Sequence, residues 1–152
     1  LIVAVAATAA LLLLLAGCKA APTSEPAGMQ DPYARLPDAV KVYLAQVQPF
    51  DSPQAILEAR EHSAASLRRI VFILEAIVPP PEMKDAHDEL MAGYRFILEG
   101  RELLESTHDN EVVAEGHFLA DWGTMHLREH ERMVFEYIQN NLLEQTVGGE
   151  SH

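Results

Sequence analysis

The chain has 152 residues, 11 basic against 23 acidic, and a formal net charge of −12 with neutral histidine. That length suits one domain rather than a multidomain enzyme. The acidic balance excludes an electrostatic grip on a nucleic-acid backbone, which needs clustered Lys and Arg, and a single cysteine excludes an internal disulfide framework.

Residues 1–17 carry no charge and are mostly Val, Ala, Leu and Ile. The run is short for a membrane-spanning helix. It reads as the hydrophobic region of an export signal, with small residues before a cleavage point. It ends in Leu15-Ala16-Gly17-Cys18, and Cys18 is the chain's only cysteine. This quartet resembles the lipobox of bacterial lipoproteins. The resemblance implies cleavage between Gly17 and Cys18, a thioether-linked lipid on the Cys18 thiol and acylation of its freed amine. The protein would then meet the membrane through lipid and not through a spanning helix. A signal anchor, or a secretory signal with an incidental cysteine, is the alternative. No Met or basic residue precedes the run, so the chain is expected to begin inside the signal. In proteobacterial lipoproteins an Asp after the cysteine favours inner-membrane retention. Lys19 at that position implies the periplasmic face of the outer membrane where the source has two membranes.

Residues 18–36 follow as a lipidated cysteine and flexible tether. Pro22, Pro26 and Pro32, with Thr23, Ser24 and Gly28, keep such a segment from packing as helix or sheet. An ordered strap anchored by Tyr33 and Leu36 is the alternative for its last part.

Residues 37–147 are expected to form an all-α, up-and-down antiparallel bundle of three long helices plus a short N-terminal one, with 148–152 as a disordered tail after Gly148 and Gly149. The short helix spans residues 37–50, with Val40, Tyr43, Leu44, Val47 and Phe50 at helical spacing. Ser52-Pro53 starts the second, which runs to about Val78 on a stripe of Ile56, Ser63, Leu67, Ile70, Val71, Leu74 and Ile77. Pro79-Pro80-Pro81 stops it. The third begins near Glu82, carries Met83, His87, Leu90, Tyr94, Ile97, Arg101 and Leu104 on one face, and ends around Thr107. Asp109 or Asn110 caps the fourth, from Glu111 to about Gln145, roughly 50 Å long. Its face includes Gly116 and Gly123, seven apart, which imply a close helix contact or a bend. Short connections between long amphipathic helices make neighbours antiparallel. The stretch from Pro79 to Leu90 is also similar to a corner in uncharacterised small helical lipoproteins of bacteria, a resemblance that carries no activity or ligand with it.

Three interior histidines are the candidate metal ligands. His126 and His130, four apart, share one face of the fourth helix, and His87 points inward from the third. If the helices pack at matching depth, three imidazoles converge and suit zinc or copper. Otherwise they are core histidines bonded to Tyr, Glu or backbone carbonyls. The string from His126 to His130 also matches the inverted zinc-protease motif, but Glu129 falls on the solvent side of the wheel. The Glu-x-x-His pairs of di-iron bundles occur only once, at Glu105–His108.

A second candidate is a polar line of Arg60, Tyr94, Arg101 and Glu105. Arg101 is inward-facing and Glu105, four residues on, is its expected partner. The line either fixes helix register or lines a cleft for a polar ligand. Phe118, Trp122 and Met125 fall outside the fourth helix's core face and are expected to pack under the first helix or the strap, with a partner-binding strip on successive turns as the alternative. These features describe a non-enzymatic, membrane-tethered envelope lipoprotein that binds an envelope protein partner or a small ligand, without nucleic acid and without a required cofactor. The alternative is a zinc- or copper-binding helical lipoprotein.

Overall fold

The computed structural model describes residues 33–147; the signal, Cys18, residues 19–32 of the tether and the tail from 148 lie outside the described residues. Five α-helices follow in order: α1 Asp38–Asp51, α2 Pro53–Ala59, α3 Ala64–Glu75, α4 Lys84–Ser106 and α5 Asn110–Val147. The fold is all-α, and there is no strand among the described residues. At 1.5 Å per residue α5 is about 57 Å long.

The helix boundaries follow from local chemistry. Pro49 lies within α1, where its missing N–H costs one bond in the last turn. The stop comes at Ser52, whose extended backbone and side-chain oxygen, 3.2 Å from the Ala55 N–H, begin α2 with Pro53 in the first turn. The single second helix expected over 53–78 is instead two helices. Ser63 is not part of an apolar stripe but the cap of α3, accepting from Ser66 N–H at 3.3 Å. Helix α3 ends at Glu75, and a 3-10 turn at Pro81–Met83 leads into α4. Between α4 and α5, Asp109 Oδ1 accepts from Glu111 N–H at 2.9 Å and takes the capping role.

Helices α4 and α5 form an antiparallel hairpin whose backbones nearly touch. A Cβ on Gly123 would lie 2.5 Å from the Gly93 carbonyl oxygen, and one on Gly116 would lie 2.8 Å from that of Gly100. Gly93 pairs with Gly123 and Gly100 with Gly116, so both helices repeat the same seven-residue step. The same register carries on to Ala86 and His130, where the imidazole Nδ1 is 2.7 Å from the Ala86 carbonyl. His130 thus stands where a third small residue would continue the stripe.

Helix α3 runs antiparallel to α4, with Arg68 paired to Glu102 at 2.8 Å and Glu75 to Arg95 at 2.9 Å. Helix α1 closes the core. Val40, Tyr43 and Val47 are buried together with Leu67, Leu74, Leu90, Tyr94, Ile97 and Leu127. Leu36, just before α1, is buried with them, whereas Tyr33 is 49% exposed. Among the described residues, no helix is long and apolar enough to cross a membrane.

Candidate functional site

The inward histidines meet α1. His130 is fully buried, with 0% exposure. Its Nδ1 faces a carbonyl, which only accepts, so Nδ1 carries a hydrogen and donates to Ala86. The opposite nitrogen, Nε2, is buried without a hydrogen-bond partner. Its nearest charged neighbour is the Asp51 carboxylate at the end of α1, with Oδ2 3.5 Å away. That separation is within ion-pair range, but no hydrogen bond joins the two groups.

His87, also buried, projects from α4 toward α1. Its Nδ1 and the Tyr43 hydroxyl are 3.4 Å apart, and the two rings meet edge to face at 5.8 Å. Burial lowers the His87 pKa below the ordinary histidine value of 6.5; nearby Asp88 and a hydrogen bond to the Leu74 backbone oppose that shift, and nearby His130 adds to it. Burial raises the Tyr43 hydroxyl pKa well above the usual tyrosine range, and Asp51 and Asp88 push it the same way. Burial thus favours the neutral form of both groups. Tyr94 is raised in the same manner by burial and Asp51, and its hydroxyl donates to the Phe50 carbonyl at 2.8 Å.

His126 has different company. Its Nδ1 is 2.6 Å from Glu89 Oε2, its ring stacks on Phe96 at 5.2 Å, and Trp122 meets it edge-on at 5.8 Å. The three histidines are thus divided between an α1-facing cluster of His87 and His130 and a half-exposed aromatic setting for His126. Among the described residues, no three His, Cys, Asp or Glu side chains are grouped to hold a metal ion. Glu129, the remaining member of the protease-like string, is bound to Arg132, which lowers its pKa.

The second candidate line is brought together, with different bonds from those expected. Arg101 does not pair with Glu105. Its guanidinium donates to the Arg60 carbonyl at the end of α2, and Glu105 Oε1 accepts from Ala64 N–H at 3.0 Å at the start of α3. The Arg60 side chain reaches Asp121 on α5 at 2.6 Å. These three residues fasten the α2–α3 break to α4 and α5 at the bundle margin, whereas Tyr94 lies apart in the core. The break leaves backbone groups that lose helical partners, and α4 supplies them.

Phe118 and Met125 are exposed, at 62% and 60%, rather than packed under α1; Trp122 is 43% exposed and stacks with Phe118 at 6.1 Å.

Two clefts flank α1. One, of about 560 Å³, is lined by Tyr33, Lys41, Leu44, Gln48, Asp51 and Val134. The other, of about 960 Å³, lies between α1 and the proline corner, with Val42, Gln46, Ile73, Ile77 and Pro79 among its walls. Asp51 joins the first cleft to His130. Sequence reasoning missed Asp51, which precedes the Ser52-Pro53 start signal, and Tyr43, counted as a member of the first helical stripe. Nothing in the spacing signalled that the end of α1 would meet the middle of α5.

The fold and site define an all-α bundle with a buried histidine pair beneath its first helix. Comparison with protein-family models, curated proteins and solved structures finds no match.

Proposed function

We propose that this chain is a non-enzymatic lipoprotein of the cell envelope, tethered through lipid on Cys18, whose helical bundle binds an envelope protein partner or a small ligand. The observation that carries the reading is the quartet Leu15-Ala16-Gly17-Cys18 at the end of an uncharged apolar run. Its only thiol falls where lipid transfer requires one. The net charge of −12 accords with a partner other than nucleic acid. The bonding of Arg60, Arg101 and Glu105 supports a structural role for that line, since it joins helix ends rather than opening onto a substrate. Where the source has two membranes, Lys19 favours the periplasmic face of the outer one.

Intact-mass analysis of the exported protein tests the tether. The expected product begins at Cys18 and carries a diacylglycerol increment, and Cys18→Ala leaves precursor in the membrane. A soluble product cut elsewhere, with a free thiol, overturns the tether. Capture from detergent-solubilised envelope tests the binding role. Recovery of the monomer alone, with no ligand retained in native mass spectrometry, counts against it. A second reading, divalent-metal binding by the inward histidines, is favoured by one specific observation: the buried Nε2 of His130, which has no hydrogen-bond partner.

A further inference from the structure

We infer that His130 and Asp51 bind a zinc-class divalent ion at the inner end of the cleft beside α1, with water completing its coordination. The inference rests on the metal-binding reading and replaces the expected trio of His87, His126 and His130 with a different pair.

The argument begins with the lone pair. Because the Ala86 carbonyl fixes the hydrogen on Nδ1, a neutral His130 presents an unprotonated Nε2. That nitrogen is buried without a hydrogen-bond partner and lies 3.5 Å from a carboxylate oxygen. The buried Nε2 and the cleft-facing carboxylate oxygen are two electron-rich atoms set against each other, an arrangement that a bridging cation stabilises. Metal-binding histidines typically have this arrangement, with one nitrogen free for the ion and the other donating to a backbone carbonyl that fixes tautomer and ring orientation.

The spacing agrees. Zinc bonds to imidazole nitrogen and carboxylate oxygen at about 2.0–2.1 Å, which places two tetrahedral ligands about 3.4 Å apart. The Asp51 side chain is 20% exposed and lines the cleft, so an ion arriving from solvent reaches the carboxylate first. Lys41 lines the same cleft, but its ammonium is paired with Asp38 at 3.2 Å. A strongly acidic chain also raises the local cation concentration. His126 is not part of this pair, since its ring is held between Phe96 and Trp122 and beside Glu89 rather than facing Asp51. With two protein ligands, the remaining positions stay open to water or to a small donor molecule in the cleft.

Zinc titration calorimetry on the full chain in detergent tests the inference. Every variant carries Cys18→Ser, so that the thiol cannot take the ion. The parent should bind one zinc per chain, and Asp51→Asn and His130→Gln should each weaken it by about tenfold or more. Asp51→Asn is the deciding variant, because a partly exposed carboxylate is replaced by its isostere and the fold is retained; thermal melting confirms this. His126→Gln should leave the affinity unchanged. Zinc binding indifferent to Asp51→Asn overturns the pair, and if it is lost in His126→Gln the metal-binding reading survives with other ligands. Absence of saturable zinc binding overturns both.

Discussion

His87 and His130 occupy neighbouring positions beneath α1 but differ in their bonding partners. His87 is satisfied by Tyr43 and the Leu74 backbone, and burial keeps its pKa below 6.5. In the unfolded chain it takes up a proton near 6.5, so below that pH the unfolded state binds more protons than the folded one. The stability due to neutral burial is therefore complete above 6.5 and is lost as pH falls through 6.5 toward the lower folded-state value. Denaturant unfolding of the parent and His87→Gln at pH 7.5 and pH 5.5 checks the sign. The parent should lose more stability between the two than the variant does, and an equal loss in both would remove His87 as the cause. The inward direction of both rings was legible in the sequence, since His87 and His130 fall within apolar stripes. Their partners were not, because Tyr43 and Asp51 lie tens of residues away in the chain, and helical periodicity says nothing about which helices meet.

At the scale of elements, the α4–α5 hairpin is set by its glycines. The spacing of Gly116 and Gly123 indicated a close neighbour or a bend, and the structure shows close approach. The matching pair, Gly93 and Gly100, has the same seven-residue spacing and was the signal that would have given the register. An alanine in a helix is ordinarily worth up to about 1 kcal/mol over glycine. At Gly123, however, a Cβ would meet the Gly93 carbonyl oxygen at 2.5 Å and Ile97 Cγ1 at 2.7 Å. Backbone cannot rotate out of the way as a side chain can, so the helices must part along the whole contact. Gly123→Ala should therefore destabilise by about 1–3 kcal/mol or more, read as a lowered denaturation midpoint; a neutral or stabilising effect would show that the hairpin is looser than its glycines imply. The break between α2 and α3 was hidden for a related reason. Ser63 fits a 3.6-residue stripe as well as it fits a cap, and the choice is made by tertiary bonds from Arg101 and Glu105 that compensate the interrupted helix.

Across the whole molecule, α5 contributes Leu127 and Ile138 to a core that also draws on α1, α2, α3 and α4. The all-α class and the core face of α5 were readable because Leu127, His130 and Val134 repeat with the helix turn, while the destination of Phe118 and Met125 depended on where the short α1 would land. It lands on the other side, over His87 and His130, and leaves Phe118 exposed. This arrangement sets opposite costs for two apolar side chains on one helix. Leu127 has no exposed surface, and its side chain fills the space beside Gly93. Leu127→Ala should cost about 2–5 kcal/mol, the transfer term together with the cavity left behind. Phe118 is 62% exposed and touches chiefly Trp122, so Phe118→Ser should forfeit only a partial ring contact, about 0.5–1.5 kcal/mol. Urea unfolding of the two variants measures the difference directly. If Phe118→Ser proved as damaging as Leu127→Ala, the aromatic strip would be covered in the folded chain, and the face of α5 left available to a partner would have to lie elsewhere.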